Sequence, residues 1–262
     1  MKKPFLINLG LVFCLCLLTL LSGCCINIGD MFKAKYERTQ NVSVPVRDAA
    51  ELRVETDVGS ITITGADVTD CNITAEITVK AYTKEKAREL AEQVRIEPVH
   101  SGDTLTIRAR KPDELKSRSL SVAFKIIAPK HLNLNCAAHV GTVKVSDIQG
   151  RIDASANVGS VFCYQVIADI DLESNVGSIE VEYSDTAPAA CNADIATNVG
   201  SIEFTGPPQL SAQLNASTNV GSVKTSKPVT VVGKLGKSIK GTIGSGEGKI
   251  SLRTNVGSIE IK

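Results

Sequence analysis

The feature that most constrains the fold is an eight-residue segment that occurs three times. It reads S-N-V-G-S-I-E-V at 174–181, T-N-V-G-S-I-E-F at 197–204 and T-N-V-G-S-I-E-I at 254–261. Its core, Val-Gly-Ser or Val-Gly-Thr, places glycine at Gly59, Gly141, Gly159, Gly177, Gly200, Gly221 and Gly257. From Gly141 onward the spacings are 18, 18, 23, 21 and 36 residues. A period near 20 predicts a solenoid, and the double spacing predicts one degenerate coil near 239–245.

Alignment on the glycine predicts a strand on each side of a corner. Positions seven and five before the glycine, and two and four after it, are mostly aliphatic, which indicates one apolar face per strand. Glycine in third place of Asn-Val-Gly-Ser suits a type II turn rather than a tight hairpin. We therefore expect parallel strands stacked about 4.8 Å apart. The corner valine is expected to point inward and the preceding asparagines to form a hydrogen-bonded column: Asn157, Asn175, Asn198, Asn219 and Asn255, with Asp57 and His139 as variants.

The N-terminus has the pattern of a bacterial lipoprotein signal peptide over residues 1–23. Lys2 and Lys3 precede an apolar stretch at 5–21, and Leu21-Ser22-Gly23-Cys24 resembles a lipobox. The resemblance implies cleavage before Cys24 and acylation of Cys24, including a diacylglyceryl group on its sulfur. Two or more acyl chains anchor a protein stably. The alternative is an uncleaved transmembrane anchor, for which the apolar stretch is marginally short.

Net charge and cysteine count limit which partners and which disulfides the chain can have. Loss of Lys2 and Lys3 lowers the formal net charge from +1 to −1, so neither nucleic acid nor another polyanion is indicated as a partner. Five further cysteines remain, an odd number that excludes complete pairing into disulfides within the chain. They are Cys25, Cys71, Cys136, Cys163 and Cys191.

The chain divides into four segments. Residues 1–23 are the signal peptide, and 24–42 hold the lipidated Cys24 and a polar tether. Residues 43–130 read as a strand-rich cap module with one short helix. In that helix Thr83 caps the N-terminus and Ala87, Leu90, Ala91 and Val94 share a face. Residues 131–262 hold the solenoid repeats. The predicted fold is all-β: a parallel β-solenoid or β-helix with coils of about 18–23 residues behind this cap.

The strand-rich start, the single helix and repeats such as T-N-V-G-S-I-E-F resemble the bacterial putative-adhesin family, a domain-of-unknown-function family of β-strand-repeat proteins. The resemblance covers roughly residues 45–262. It implies adhesion at the cell envelope, and it brings no catalytic residues with it.

Two columns of polar residues on the outer faces are candidates for metal binding or for acid/base catalysis. Six residues before the glycine, Asp153, Asp171 and Asp194 lie in successive coils, where stacked carboxylates can bind Ca²⁺ or form a solvated face. Three residues after the glycine, Glu180 and Glu203 are neighbours and form a candidate acid/base pair of the kind that cleaves glycans.

Other residues have simpler interpretations. Phe162, Tyr164 and Tyr183 are candidates for a sugar-stacking surface near the glutamates. Cys136, Cys163 and Cys191 occupy inward positions and are expected in the core rather than at a metal site. His139 is expected to be a polar corner residue.

The sequence therefore favours a non-enzymatic, lipid-anchored envelope protein, without cofactor or metal, that presents a solenoid surface to a glycan or an envelope protein. Cys25, rather than Asp, follows Cys24, which favours the outer membrane. The alternatives are a β-helical polysaccharide lyase or hydrolase and an envelope-stress accessory protein that binds another envelope protein. No catalytic or nucleotide-binding motif of the common kinds is present.

Overall fold

The computed structural model describes residues 34–115, 119–231 and 236–262. The predicted signal peptide, Cys24 and Cys25 lie outside these ranges. Within them, no helix combines the length and the apolar character needed to cross a bilayer.

The described chain is all-β with one short helix, and its strands form two facing sheets. The first sheet, in spatial order, contains β1 (Ala34–Pro45), β4 (Asp70–Ala81), β7 (Leu120–Pro129), β3 (Ile61–Ala66), β9 (Val143–Ser146), β11 (Val161–Val166), β13 (Ile179–Tyr183), β15 (Ile202–Thr205), β21 (Ile259–Ile261) and β17 (Val223–Thr225). The second contains β18 (Thr230–Val231), β19 (Ser238–Ile243), β16 (Ala212–Val220), β20 (Gly248–Val256), β14 (Asn192–Val199), β12 (Ile170–Val176), β10 (Ile152–Val158), β8 (Asn133–Val140), β2 (Glu51–Val58), β6 (Thr104–Arg110) and β5 (Arg95–Ser101).

Each repeat forms a coil, which we define as a strand of the second sheet, a Val-Gly-Ser/Thr corner and the next strand, in the first sheet. In spatial order, coils 1 to 7 are β2–β3, β8–β9, β10–β11, β12–β13, β14–β15, β20–β21 and β16–β17. Neighbouring coils are parallel and in register, so that Asp153 lies beside Asp171, and Asp171 beside Asp194. The predicted all-β class and the predicted parallel stacking of the repeats are confirmed.

The order of the coils in space differs from their order in the chain. β20 pairs with β14 on one side and with β16 on the other, so the last repeat of the sequence inserts between two earlier ones. The degenerate coil expected near 239–245 is wrong. Residues 238–243 form β19, which pairs antiparallel with β16 and β18. Gly244 and Gly246 then adopt φ of 59° and 79° and turn the chain back into β20.

The sheets run without a break through residue 130, where the sequence suggested a module boundary. Coil 1 comes from residues 51–66, and β6 and β7 continue the parallel stacking beside β2 and β3. Beyond them β4, β1 and β5 pair antiparallel and end the stack. The helix α1 (Lys84–Gln93) packs on this end, with Thr83 at its N-cap and Ala87, Leu90, Ala91 and Val94 buried, as predicted.

Residues 34–42, which the sequence analysis placed in a tether, form most of β1. The strand pairs along its whole length with β4, from Ala34 beside Ala81 to Pro45 beside Asp70. Tyr36 and Val42 pack against the core, and Arg38 Nε donates to the Ala91 carbonyl oxygen at 2.8 Å. The alternation of covered and exposed side chains in this segment is the signal that the tether interpretation missed.

One continuous core of aliphatic side chains fills the space between the sheets from the helix end to coil 7. Every coil contributes inward residues from both of its strands, so each coil is stabilised by its two neighbours rather than by itself.

Candidate functional site

The corners of the coils line up along one edge of the molecule. At coil 4, Gly177 has φ of +153°, and a Cβ on it would lie 2.0 Å from the carbonyl oxygen of Gly159 in coil 3. Gly177 N–H donates to the Val199 carbonyl of coil 5 at 2.9 Å. Glycine is therefore required twice here, for its dihedral angle and for the close approach of the next coil.

A column of inward hydroxyl groups, three residues before the glycine, joins the corners of coils 3 to 7. Ser174, Thr197, Thr254 and Thr218 each donate to the glycine carbonyl of the preceding coil at 2.9 Å. These side chains are buried, and the hydrogen bond compensates their loss of water. This column was not predicted from the sequence, although Ser or Thr recurs at the position in five of the seven aligned repeats.

The predicted asparagine column is present, and we call it the amide ladder. In spatial order it runs Asn157, Asn175, Asn198, Asn255 and Asn219. Each side-chain nitrogen donates to the amide oxygen of the preceding rung: Asn175 to Asn157 at 3.2 Å, Asn198 to Asn175 at 2.9 Å, Asn255 to Asn198, and Asn219 to Asn255 at 2.9 Å. All the amides therefore share one orientation. Asp57 and His139 hold the equivalent places in coils 1 and 2.

The corner valines point outward, contrary to the sequence prediction. Six of them are 40–60% exposed. The inward space at the edge is taken by the residue three before the glycine and the residue two after it, so the chain between them passes around the outside. The valines form a ridge, in spatial order Val58, Val140, Val158, Val176, Val199, Val256 and Val220.

An open groove of about 870 Å³ runs along the second sheet beside the amide ladder. The amides form one wall, and the floor contains small side chains such as Ala137, Ser155 and Ala196. Leu120 and Val122 of β7 and Arg108 of β6 line the end nearest the helix. The groove passes six coils, from Asp57 in coil 1 to Asn255 in coil 6, a span of about 24 Å at the usual strand spacing.

Charges of both signs line the groove. Lys111 Nζ lies 2.7 Å from Asp57 Oδ2 at the end in coil 1, with Arg108 and Glu55 close to that end. At the other end is Arg253, 2.7 Å from Asp194, and Glu173 of coil 4 lies part-way along, between Ser155 and Ala196. The other lining residues of coils 2 to 6 are Ala, Ser, Thr and Asn, with His139 in coil 2. The groove therefore has no net electrostatic preference for a strongly charged ligand.

Comparison with known proteins gives the family. The model of the Toastrack DUF4097 family matches residues 35–262. The chain belongs to this family. Among curated proteins no match to this Toastrack chain was found.

One solved structure shares the fold at low identity, and a second is similar to a lesser degree. A "putative cell adhesion protein" from Clostridium sporogenes has a TM-score of 0.55 and 13% identity to this Toastrack chain, covering 87% of this chain and 99% of that one. A "putative adhesin" from Bacteroides fragilis is 12% identical with a TM-score of 0.34, covering 86% and 97%. The resemblance to a putative-adhesin family is thereby confirmed.

The aromatic surface predicted on this Toastrack chain is smaller than expected. Phe162 and Tyr164 lie half-buried on the outer face of the first sheet, with ring centroids 6.2 Å apart and planes within 9°. Lys144 Nζ sits 5.3 Å from the Tyr164 ring centroid. Tyr183 points inward instead, packs on Phe204 and donates its hydroxyl to the Ala168 carbonyl at 3.1 Å. It offers nothing to a surface ligand.

The two predicted glutamates are in register on the same outer face. Glu180 lies beside Glu203 as expected, and the inserted coil places Glu260 next in the column. Lys262 Nζ is 2.6 Å from Glu203 and 3.8 Å from Glu260. The column is open to solvent on a flat sheet, and neither Glu180 nor Glu203 lines the groove on the opposite sheet.

The aspartate column is also in register, and arginines neutralise part of it. Arg253 pairs with Asp194 at 2.7 Å and Arg151 with Asp171 at 3.7 Å. Partial burial, and then the nearby Asp171 carboxylate, raise the pKa of Asp153 above its ordinary value. In the described part of the chain, no cluster of three or more His, Cys, Asp or Glu is arranged to hold a metal ion.

The inward cysteines behave as core residues. Cys136, Cys163 and Cys191 are buried free thiols. Burial raises the pKa of Cys163 to about 12 and that of Cys191 to about 11, so these thiols are neutral and unreactive near neutral pH. His139 is an exposed corner residue at the edge of the groove, as predicted.

Proposed function

We propose that this protein is a non-enzymatic, lipid-anchored protein of the bacterial cell envelope that acts in adhesion through the surface of its solenoid. The main support for this proposal is the edge of the molecule where the corners of the coils line up. There the amide ladder presents the same group in four successive coils of the groove, which suits a repetitive or extended ligand better than a small substrate. The Clostridium sporogenes protein of the same fold is described as a "putative cell adhesion protein", which supports this assignment.

The second candidate is a polysaccharide lyase or hydrolase acting through Glu180 and Glu203. A glycosidase needs two carboxyl groups on opposite sides of a bound chain, in a site that shapes the sugar. Glu180 and Glu203 instead stand side by side on an open face, and Lys262 pairs with Glu203. This arrangement favours binding over cleavage.

The test measures binding of the protein and cleavage of the ligand on the same set of glycans and envelopes. Full-length protein in detergent is incubated with bacterial and host glycans, peptidoglycan and whole-cell envelopes, and both bound protein and released products are measured. The proposal predicts retention without products. New reducing ends or unsaturated sugars would establish an enzyme, and Glu180→Gln and Glu203→Gln would then be the first variants. Capture of one envelope protein, without any glycan or surface retention, would favour the stress-accessory alternative.

Lipid anchoring at Cys24 and placement in the outer membrane belong to the same proposal. β1 starts at Ala34, ten residues after Cys24, and a fully extended chain of that length reaches at most about 35 Å. We expect a palmitate analogue to label the protein in cells and Cys24→Ser to abolish labelling. Cys25→Ser is the matched control and should label normally. Labelling that survives Cys24→Ser would contradict the assignment, and fractionation of the two membranes tests the location.

A further inference from the structure

The groove beside the amide ladder has unused hydrogen-bonding capacity at regular intervals. A side-chain amide has two N–H donors and an oxygen with two acceptor positions. In the interior rungs Asn175 and Asn198, the bonds to neighbouring rungs use one donor and one acceptor each. Each rung therefore keeps one donor and one acceptor, in fixed orientation, about every 4.8 Å.

The shape of the groove selects an extended occupant. The floor position is Ala137, Ser155 and Ala196 in coils 2, 3 and 5, where a longer side chain would narrow the groove, and Glu173 in coil 4. The lining comes from six coils stacked in register, so the cavity is elongated along the stack. A linear polymer lying along it would meet one side-chain amide in each of coils 3 to 6.

The charges argue for an uncharged occupant. Lys111 is paired with Asp57 and Arg253 with Asp194, and Glu173 of coil 4 lies between these two pairs, so that groups of both signs alternate along the groove. A polyanion would meet Glu55 and Glu173, and a polycation would meet Arg108 and Arg253. Hydroxyl groups, which both donate and accept, complement free amide donors and acceptors.

We propose that this groove binds an uncharged, extended β-linked glycan, whose successive sugars place hydroxyl groups against successive rungs of the amide ladder. The proposal rests on the proposed adhesive function and names its ligand class and its site. It places the ligand on the second sheet, away from the Phe162–Tyr164 pair on the first.

The test measures binding of full-length protein in detergent to labelled β-1,4-linked glucose and N-acetylglucosamine oligomers of increasing length. Affinity should rise with length and level off near five sugars, the number that about 24 Å accommodates. Ser155→Gln and Ala196→Gln fill the floor and should each raise the Kd about tenfold or more. Ser217→Gln is the matched control, because Ser217 holds the same place in coil 7 and does not line the groove.

The outcomes separate this inference from the broader function. Binding that Ser155→Gln and Ala196→Gln weaken, and that Ser217→Gln and Phe162→Ala leave unchanged, supports the groove. Binding lost in Phe162→Ala but kept in Ser155→Gln overturns the site and leaves the adhesive function standing. Binding only to anionic oligomers, or to no oligomer at all, overturns the ligand class. The adhesive function itself fails only if whole envelopes and host surfaces also retain nothing.

Discussion

At the scale of single residues, the glycine of each corner is the position that admits no other side chain. Its positive φ suits glycine, and its Cα faces the backbone of the preceding coil. The seven corner glycines all combine a positive φ with a contact of this kind, whereas Gly102, in a hairpin turn, has the dihedral angle alone.

Gly177→Ala should therefore destabilise the protein far more than Gly102→Ala. At Gly177 the new Cβ would lie 2.0 Å from the Gly159 carbonyl oxygen, whereas at Gly102 nothing lies within 4 Å. We expect a loss of more than about 3 kcal/mol in the free energy of unfolding for Gly177→Ala and about 1 kcal/mol for Gly102→Ala. Chemical denaturation measures both. Equal losses would show that the dihedral angle, and not the stacking contact, accounts for the glycine.

Asp153 gives a pH-dependent prediction. Because its folded pKa is raised, the folded state prefers the protonated carboxyl, and stability falls as pH rises from the ordinary pKa through the raised one. Asp153→Asn should therefore be more stable than the parent at pH 7, by less than about 1 kcal/mol since the group is partly solvated. The difference should shrink below the ordinary pKa of an aspartate.

The comparison variant is Asp194→Asn, which loses the ion pair with Arg253 and should be neutral or slightly destabilising at pH 7. If Asp153→Asn also lost stability at pH 7, the carboxylate would be contributing favourably, as it would in a cation site shared with Asp171.

The side-chain directions predicted from sequence are correct for positions that lie within the strands and recur from coil to coil. The amide ladder and the inward cysteines follow from alternation and from stacking identical corners. The outward valines do not, because alternation applies along a strand and the corner interrupts it. The direction of a side chain there depends on which residues fill the edge of the core, here Thr197 and Ile202 around one corner.

At the scale of secondary-structure elements, the sequence indicates the coils but not their order. The corners of coils 5, 6 and 7 share the same glycine, hydroxyl and amide contacts, so the corner motif alone does not decide whether β20–β21 or β16–β17 stacks on coil 5. The order is decided by the hairpin of β18 and β19, which pairs on the far side of β16 and sends the chain back. Residues 242–245 read Thr-Ile-Gly-Ser, which is close to the corner motif but has Thr242 in place of Asn, and that missing Asn was the signal against a degenerate coil.

Engineered disulfides test this order. Neighbouring rungs lie about 4.8 Å apart, within disulfide reach, whereas alternate rungs lie about twice that distance apart and beyond it. Asn198→Cys with Asn255→Cys should cross-link on oxidation, and Asn198→Cys with Asn219→Cys should not. Mass spectrometry of the digested protein identifies the linked peptides. The opposite pattern would mean that the coils stack in the order of the chain.

At the scale of the whole molecule, the two sheet faces differ in chemistry. The first presents the Phe162–Tyr164 pair and the column of Glu180, Glu203 and Glu260 on an open surface. The second presents the groove and the amide ladder. The groove was not predictable from sequence, because it depends on which small outward side chains fall beside one another and on where β6 and β7 close its end.

A crystal structure of the protein with a neutral β-linked oligosaccharide of about five sugars tests the account most directly. The account predicts a chain lying along the second sheet, parallel to the stack, with its hydroxyl groups on Asn157, Asn175 and Asn198. A sugar stacked on Phe162 and Tyr164, with the groove empty, would contradict it.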